Sequence, residues 1–188
     1  MSDAHRRLRA ATQRDHDRLE ARLDILARIA TPEGRRAMVQ GFHGFHATTE
    51  AALTPWLASL PGLDFQARRR SVQLAADLAR LGGDGGPPVE AAITVASVGE
   101  ALGRMYVLEG STLGGRVIRR TVEARGDSME GLAFLDPYGE RAGERWRAFL
   151  AVLDAEAGTT GDVEAMVRGA VAGFRHAELW LCGEVEVV

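Results

Sequence analysis

Residues 99–120 read GEALGRMYVLEGSTLGGRVIRR, a sequence that combines the composition of a helix with an unusual number of glycines. Leu, Glu, Arg and Met are frequent and proline is absent, which predicts a helix. Each glycine inside a helix costs about 1 kcal/mol relative to alanine. At about 100° per residue, one narrow face of this helix carries Gly99, Gly103, Gly110 and Gly114, with Tyr106 as its only bulky side chain. Such a face admits either a neighbouring helix or a flat ligand, and both interpretations are open.

The composition is that of a soluble globular protein. The chain has 188 residues, of which 46% are hydrophobic and 26% are charged. The net charge is −3, which gives no general attraction to nucleic acid or to an anionic membrane. The single cysteine, Cys182, excludes an intrachain disulfide and a cysteine-based metal cluster. The sequence has neither a signal-peptide core nor an apolar stretch long enough for a membrane span, so we expect a cytoplasmic protein.

The spacing of the apolar residues predicts the fold class. They recur every three or four residues and hardly ever alternate, which predicts an all-α, single-domain helical bundle over residues 1–188. The predicted helices cover residues 3–29, 31 to about 55, 65–81, 89–124 and 140–156, and a last helix starts near residue 162. Thr31 followed by Pro32 is a typical helix start, and Pro55 is expected to bend or end that helix. The segment 82–88 is expected to be a flexible connector, and residues 183–188 a frayed tail.

His16 is the most informative of the five histidines. It lies near the edge of the apolar face of the first helix, so we expect it to be partly buried. Glu20 follows one turn later and could accept the Nδ1 proton, leaving Nε2 free as a metal ligand. Arg9 lies on the same face about 10 Å along the axis, a distance that suits a haem with its iron at His16 and a propionate at Arg9. The alternative is a core histidine paired with a surface glutamate.

The other histidines give weaker signals. His43 and His46 are one turn apart, with Glu50 following, and this spacing suits either half a metal site or polar positions between helices. We expect His5 and His176 on the surface. Ser111 has no Asp–His pair arranged to activate it, so a serine hydrolase is not indicated.

Two stretches resemble the haem oxygenase family. Leu8-Arg-Ala-Ala-Thr12-Gln-Arg-Asp-His16-Asp-Arg-Leu-Glu20 is similar to the proximal helix of that family. Tyr106-Val-Leu-Glu-Gly110-Ser-Thr-Leu-Gly114-Gly115 is similar to its kinked distal helix, in wording closest to the bacterial branch associated with phytochromes. The order of the elements extends the likeness over most of the chain. The resemblance implies a helical fold that holds haem between these two helices.

The resemblance also implies roles for individual residues. His16 would be the proximal iron ligand and Glu20 its hydrogen-bonding partner, while Gly110, Gly114 and Gly115 would bring backbone over the haem. Arg9, Tyr106 and, less securely, Arg147 would lie at the edge of the haem near its propionates, with Met105 an equally good match for the tyrosine position.

The implied activity is oxygenation of haem. Haem would be both cofactor and substrate, O₂ the co-substrate, and the products biliverdin, CO and Fe²⁺. The sequence has no flavin, nicotinamide or iron–sulfur motif, so electrons would come from a ferredoxin-type or similar reductase. A bacteriophytochrome is an implied recipient of the biliverdin.

The sequence departs from the family at Ser111. Many members have an aspartate there, next to the first distal glycine, and a serine can form hydrogen bonds but cannot carry charge. Glu109, His43, His46 or ordered water could compensate. Two alternatives therefore stay open: a haem-binding sensor or carrier without efficient turnover, and a helical interaction protein whose glycines serve only packing.

Overall fold

The computed structural model describes residues 2–84 and 93–183, and the regular elements within these ranges are helices. This confirms the predicted all-α class. The α-helices are α1 (Asp3–Leu23), α2 (Ile25–Arg28), α3 (Pro32–Leu57), α4 (Ser71–Arg80), α5 (Val98–Ala124), α6 (Ala142–Ala155) and α7 (Thr160–Cys182). Short 3-10 helices cover Gln66–Arg68, Ala133–Leu135 and Gly139–Arg141.

Several predicted boundaries are confirmed by the caps. The Thr31 side chain accepts a hydrogen bond from the backbone N–H of Gly34 at the start of α3. At the start of α7, Thr159 and Asp162 form a reciprocal capping box, so this helix begins close to the predicted position.

Other boundaries differ from the prediction. The first predicted helix breaks at Asp24, whose left-handed backbone (φ 34°) ends α1 and whose side chain caps α2. Pro55 lies within the last turn of α3, which continues two residues further to Leu57. The helix predicted from residue 65 begins as a 3-10 turn, and its α-helical part starts at Ser71.

The glycine-rich helix starts later than predicted. Residues 93–97 are not helical, and the side chain of Ser97 caps α5 by accepting a hydrogen bond from the N–H of Glu100. The predicted helical residues 89–92 lie outside the described residues, as do residues 85–88 of the connector and 184–188 of the predicted tail.

Helices α5 and α7 pack backbone against backbone. A Cβ atom on Gly103 of α5 would lie 2.0 Å from the carbonyl oxygen of Met166. Reciprocally, a Cβ on Gly169 of α7 would lie 2.1 Å from the carbonyl oxygen of Glu100. Since real Cβ atoms do not come so close to a carbonyl, this crossing requires glycine on both helices.

Helix α7 also contacts α1 and α3, which makes it the central support of the fold. Phe174 contacts α1, and Trp180 lies on α3 where Gly44 leaves room for its ring. Fully buried apolar side chains fill the space between the helices: Leu8, Leu53, Leu57, Leu74, Leu102, Phe149, Leu153 and Met166. None of the helices in the described part of the chain is long and apolar enough to cross a membrane.

Candidate functional site

An open apolar strip runs along α5. Cβ atoms added to Gly110 or Gly114 would find no atom within 4 Å. Leu113 and Val117 lie on the same face and are 40% and 64% exposed, which is unusual for large apolar side chains. Tyr106, one turn before Gly110, closes one end of the strip. We call these five residues the open strip; together they offer backbone and apolar surface to a flat ligand.

The glycine line of α5 therefore serves two purposes. Gly99 and Gly103 pack against α7, as the packing interpretation expected, whereas Gly110 and Gly114 face open space. Gly115 belongs with the packed glycines, because its Cβ would lie 2.1 Å from the carbonyl oxygen of Leu135. Its assignment to the binding face is revised for that reason.

His16 lies on the exposed side of α1. Its side chain is 50% exposed, more than expected, and its ring contacts Phe174 of α7 edge-on with 6.0 Å between ring centroids. Nε2 is 3.7 Å from the Glu20 carboxylate and Nδ1 is 3.7 Å from that of Asp17. The predicted contact of Glu20 with Nδ1 is thus wrong for this conformation, in which both distances are too long for hydrogen bonds.

Helix α7 brings His16 and the open strip to the same level of the fold. Phe174 contacts His16. The preceding residue, Gly173, packs against Arg104 and Val107 of α5. Gly110 follows Val107 by about one turn of helix. The two helices predicted to enclose the ligand, α1 and α5, therefore both pack on α7, although they come from distant parts of the sequence.

An aromatic cluster joins α1, α5 and α6 at one end of the strip. The Tyr106 ring lies 6.0 Å from that of His5 and 5.6 Å from that of Trp146. Burial raises the pKa of Tyr106, and the positive charge of Arg9 acts in the opposite direction. Arg147 is exposed on α6, directly after Trp146. Both predicted edge cations, Arg9 and Arg147, thus belong to the helices that form this cluster.

The cluster corrects two sequence-based interpretations. His5 is not a surface residue, since it is half-buried and burial lowers its pKa. It precedes His16 by about three turns on the same face of α1, a spacing that could have indicated its place. Met105 is 1% exposed and lies in the core, so Tyr106 is the residue that faces the strip.

The hydroxyl proton of Ser111 is engaged in a hydrogen bond within α5. Its hydroxyl donates a hydrogen bond to the carbonyl oxygen of Leu108 at 2.7 Å, while the residue itself is exposed. In this rotamer the Ser111 oxygen is a hydrogen-bond acceptor toward the strip and becomes a donor only after rotation.

Glu109 anchors α5 to the neighbouring elements of the fold. It is 1% exposed, accepts a hydrogen bond from Tyr138 at 2.8 Å and forms an ion pair with buried Arg68. These charge-assisted hydrogen bonds hold the carboxylate in one position. Glu109 therefore positions the helix.

His43 and His46 are polar positions between helices. His46 is fully buried with Nδ1 3.2 Å from Glu50, whose carboxylate also accepts hydrogen bonds from Arg70 and Ser71. Burial alone would raise the pKa of Glu50, but these donors and His46 lower it to about 2. Among the described residues, no group of three or more His, Cys, Asp or Glu side chains is placed to hold a metal ion.

Glu178 of α7 fixes the position of α1 next to His16. Its carboxylate is 1% exposed and accepts hydrogen bonds from Arg18 Nη2 at 2.9 Å and from Arg22 Nη1 at 2.7 Å. The hydrogen bond from Arg18, more than any other cause, lowers the pKa of Glu178. No local sequence pattern indicates this clamp, because its partners are about 160 residues apart.

Glu178→Gln is expected to lower the free energy of unfolding at pH 7 by about 2 kcal/mol, the typical value of hydrogen bonds to a charged group. Because the folded-state pKa of Glu178 is lowered, its contribution is present above the ordinary glutamate pKa and is lost as the pH falls through the lowered value. Urea denaturation should therefore show a difference between variant and wild type that shrinks on acidification. Glu144→Gln, which removes an exposed pair with Arg141, is the matched control and should leave stability unchanged. Equal effects of the two variants would contradict the clamp.

Two comparisons with known proteins show similarity to haem oxygenases. The chain is 39% identical over 147 residues to the heme oxygenase of Xanthomonas campestris pv. campestris (strain 8004), covering 76% of this chain and 85% of that protein. The crystal structure of the NO- and CO-bound heme oxygenase from Neisseria meningitidis superposes with a TM-score of 0.75 at 22% identity, over 95% of this chain and 89% of that one. No family model matches the sequence.

The match to the Xanthomonas protein is high enough and long enough to establish relationship, and the Neisseria structure shows the same helical fold. The likeness in fold and the two sequence motifs, on α1 and α5, agree with one another. The chain belongs to the haem oxygenase family of enzymes.

Proposed function

We propose that this protein cleaves haem to biliverdin, CO and Fe²⁺, with O₂ as co-substrate and electrons from an external donor. The observation that carries the proposal is the open strip. Gly110 and Gly114 face open space on a helix whose other glycines are packed, and the exposed Leu113 and Val117 lie beside them. A helix face that has glycine at two positions and exposed apolar side chains beside them fits a flat, mainly apolar substrate such as a porphyrin.

His16 is the residue proposed to bind the iron. It is half-exposed, it lies at the level of the strip, and no hydrogen bond from the described residues holds its ring nitrogens. Rotation of the ring would turn Nε2 away from Glu20 and bring Nδ1 toward it, which is the arrangement expected of a ligating histidine with a carboxylate partner. Glu20 keeps its proposed role on this basis.

The edge of the substrate is proposed to lie at the aromatic cluster. Arg9 acts electrostatically on Tyr106, and Arg147 is exposed on the neighbouring helix α6. Arginine suits a carboxylate through paired N–H donors, so these two cations would hold the propionates and fix the rotation of the ring in its plane.

The protein's contribution to the reaction is mainly steric. Bound haem supplies the iron that binds oxygen and the porphyrin carbon that is attacked. Gly110 and Gly114 would leave room for O₂. The helix backbone on one side would limit the direction in which O₂ tilts. Ser111 is proposed to accept or, after rotation, donate a hydrogen bond beside it. The Neisseria relative, as its structure records, holds NO and CO.

The proposed partners follow from the chemistry. The electrons would come from a ferredoxin-type or similar reductase, for which the exposed basic residues near the edge of the strip, Arg9 and Arg147, form a suitable surface. A bacteriophytochrome is the proposed recipient of biliverdin, on the resemblance of the distal motif alone.

Addition of haem followed by reductant tests the function. One equivalent of haem should give a Soret band, and ascorbate or reduced ferredoxin in air should remove that band and yield biliverdin, identified by chromatography. The same reductant without oxygen should leave the band in place. Absence of a Soret band at stoichiometric haem would contradict any haem-based function.

The same experiment distinguishes the second possible function, a haem-binding sensor or carrier. The observation that favours it is Ser111, which cannot carry charge and whose proton is already donated to Leu108. A stable oxygenated complex that forms without product would identify the sensor and contradict the oxygenase.

A further inference from the structure

A groove of about 410 Å³ lies on the face of α5 opposite to the open strip. Its walls come from α5, α7 and the segment that precedes α5: Ile93, Thr94, Arg104, Ala172, Arg175, His176 and Leu179. Arg104 is about 200° from Tyr106 around the helix axis, so the groove and the strip are separate.

Arg104 and Arg175 line the groove without a hydrogen-bonded acid among the described residues, although the charge of Glu100 acts on Arg104. Within residues 2–84 and 93–183, neither guanidinium forms a hydrogen bond or an ion pair. Arg104 is half-buried, and removal from water lowers its pKa. The nearest acid, Glu100, accepts hydrogen bonds from the N–H of Ala96 and from Arg168. Partial removal of a cation from water is costly, and an anion bound directly to Arg104 would offset that cost.

The remaining walls offer a polar group and an apolar surface. Nε2 of His176 lies 3.0 Å from the hydroxyl of Thr48 on α3, which fixes the ring at the groove. Leu179 is 48% exposed, and Ile93 and Ala172 are close by. His176 was expected on the surface, but it is half-buried; burial and then the charge of Arg104 lower its pKa to about 4.

We propose that this groove binds a small organic carboxylate, with Arg104 and Arg175 on the carboxylate and Leu179 with Ile93 on the apolar body. Two cations and an apolar surface in the same groove favour this class over a bare inorganic anion or a neutral molecule. The site is independent of the open strip and of any haem chemistry.

Benzoate is the probe, with haem-free protein and two readouts: calorimetry and the NMR signals of the His176 ring. We expect binding at about millimolar concentration, as suits a ligand of this size. A carboxylate beside His176 should shift its ring signals and raise its apparent pKa, because the anion offsets the charge of Arg104. Benzamide, equal in shape but neutral, and inorganic phosphate, charged but without an apolar body, should each bind at least about tenfold more weakly.

Arg104→Gln should weaken benzoate binding about tenfold or more, and Arg125→Gln, which removes an exposed charge at the end of the same helix, should not. Benzoate that binds both variants equally, or that leaves the His176 signals unmoved, would overturn the proposal. Equal binding of phosphate and benzoate would overturn the assignment to organic carboxylates. Because haem plays no part in these measurements, failure of the oxygenase proposal would leave their outcome unchanged.

Discussion

His16→Ala is expected to abolish the His–haem spectrum and to lower haem turnover by at least about 100-fold, since loss of an outer partner of a metal ligand alone costs 10- to 100-fold. The substitution should change haem ligation without changing the fold of the protein. The side chain of His16 is 50% exposed and its ring nitrogens form no hydrogen bond within the part of the chain that the structure describes, so its removal should leave α1 and its clamp to Glu178 intact. Absorption spectroscopy of haem-loaded protein checks the ligation, and circular dichroism checks the fold.

Added imidazole should restore the spectrum in part, because the space left by the ring is open to solvent. His176→Ala is the control: it removes a half-buried histidine on another side of α7 and should keep the wild-type spectrum. If His16→Ala keeps that spectrum instead, the iron ligand is another histidine, and His5, on the same face of α1, is the first alternative to test.

The sequence predicted the helical elements because the signals for them are local. The Thr31–Pro32 start of α3 and the Thr159–Asp162 capping box of α7 depend on residues within one turn. The break at Asp24 was missed because it has no glycine or proline; an aspartate takes the left-handed conformation there and caps the next helix with its own side chain.

The site was predictable to the extent that it depends on one helix at a time. Periodicity put Gly110 and Gly114 on one line with Gly103, but only the position of α7 decides which of them are covered. The same holds for Glu178, whose partners on α1 lie far away in the sequence. Contacts between helices, which periodicity does not encode, separate the packed glycines from the open ones.

A pair of glycine variants on α5 should therefore behave in opposite ways. Gly103→Ala places a methyl group 2.0 Å from the carbonyl oxygen of Met166, and we expect it to lower the free energy of unfolding by about 3 kcal/mol or more. Gly110→Ala meets no atom within 4 Å, so we expect it to stabilise the haem-free protein by about 0.5–1 kcal/mol through better helix propensity. Thermal and urea unfolding of the two variants measure the difference in sign.

Substitution of Gly110 by a larger residue should have opposite effects on two quantities: the stability of the haem-free protein and the affinity for haem. Gly110→Leu should keep a folded haem-free protein but fills the space proposed for the substrate, and overpacking of about 1–3 kcal/mol corresponds to about fivefold to 150-fold weaker haem binding. Haem titration followed at the Soret band measures this loss. If Gly110→Leu binds haem like the wild type, the strip is not the haem face. If Gly110→Ala destabilises the haem-free protein, Gly110 serves packing, as Gly103 does. A stabilised helix with weakened haem binding is the combination that only a ligand at this face explains, since the glycine then costs stability without haem and is needed when haem binds.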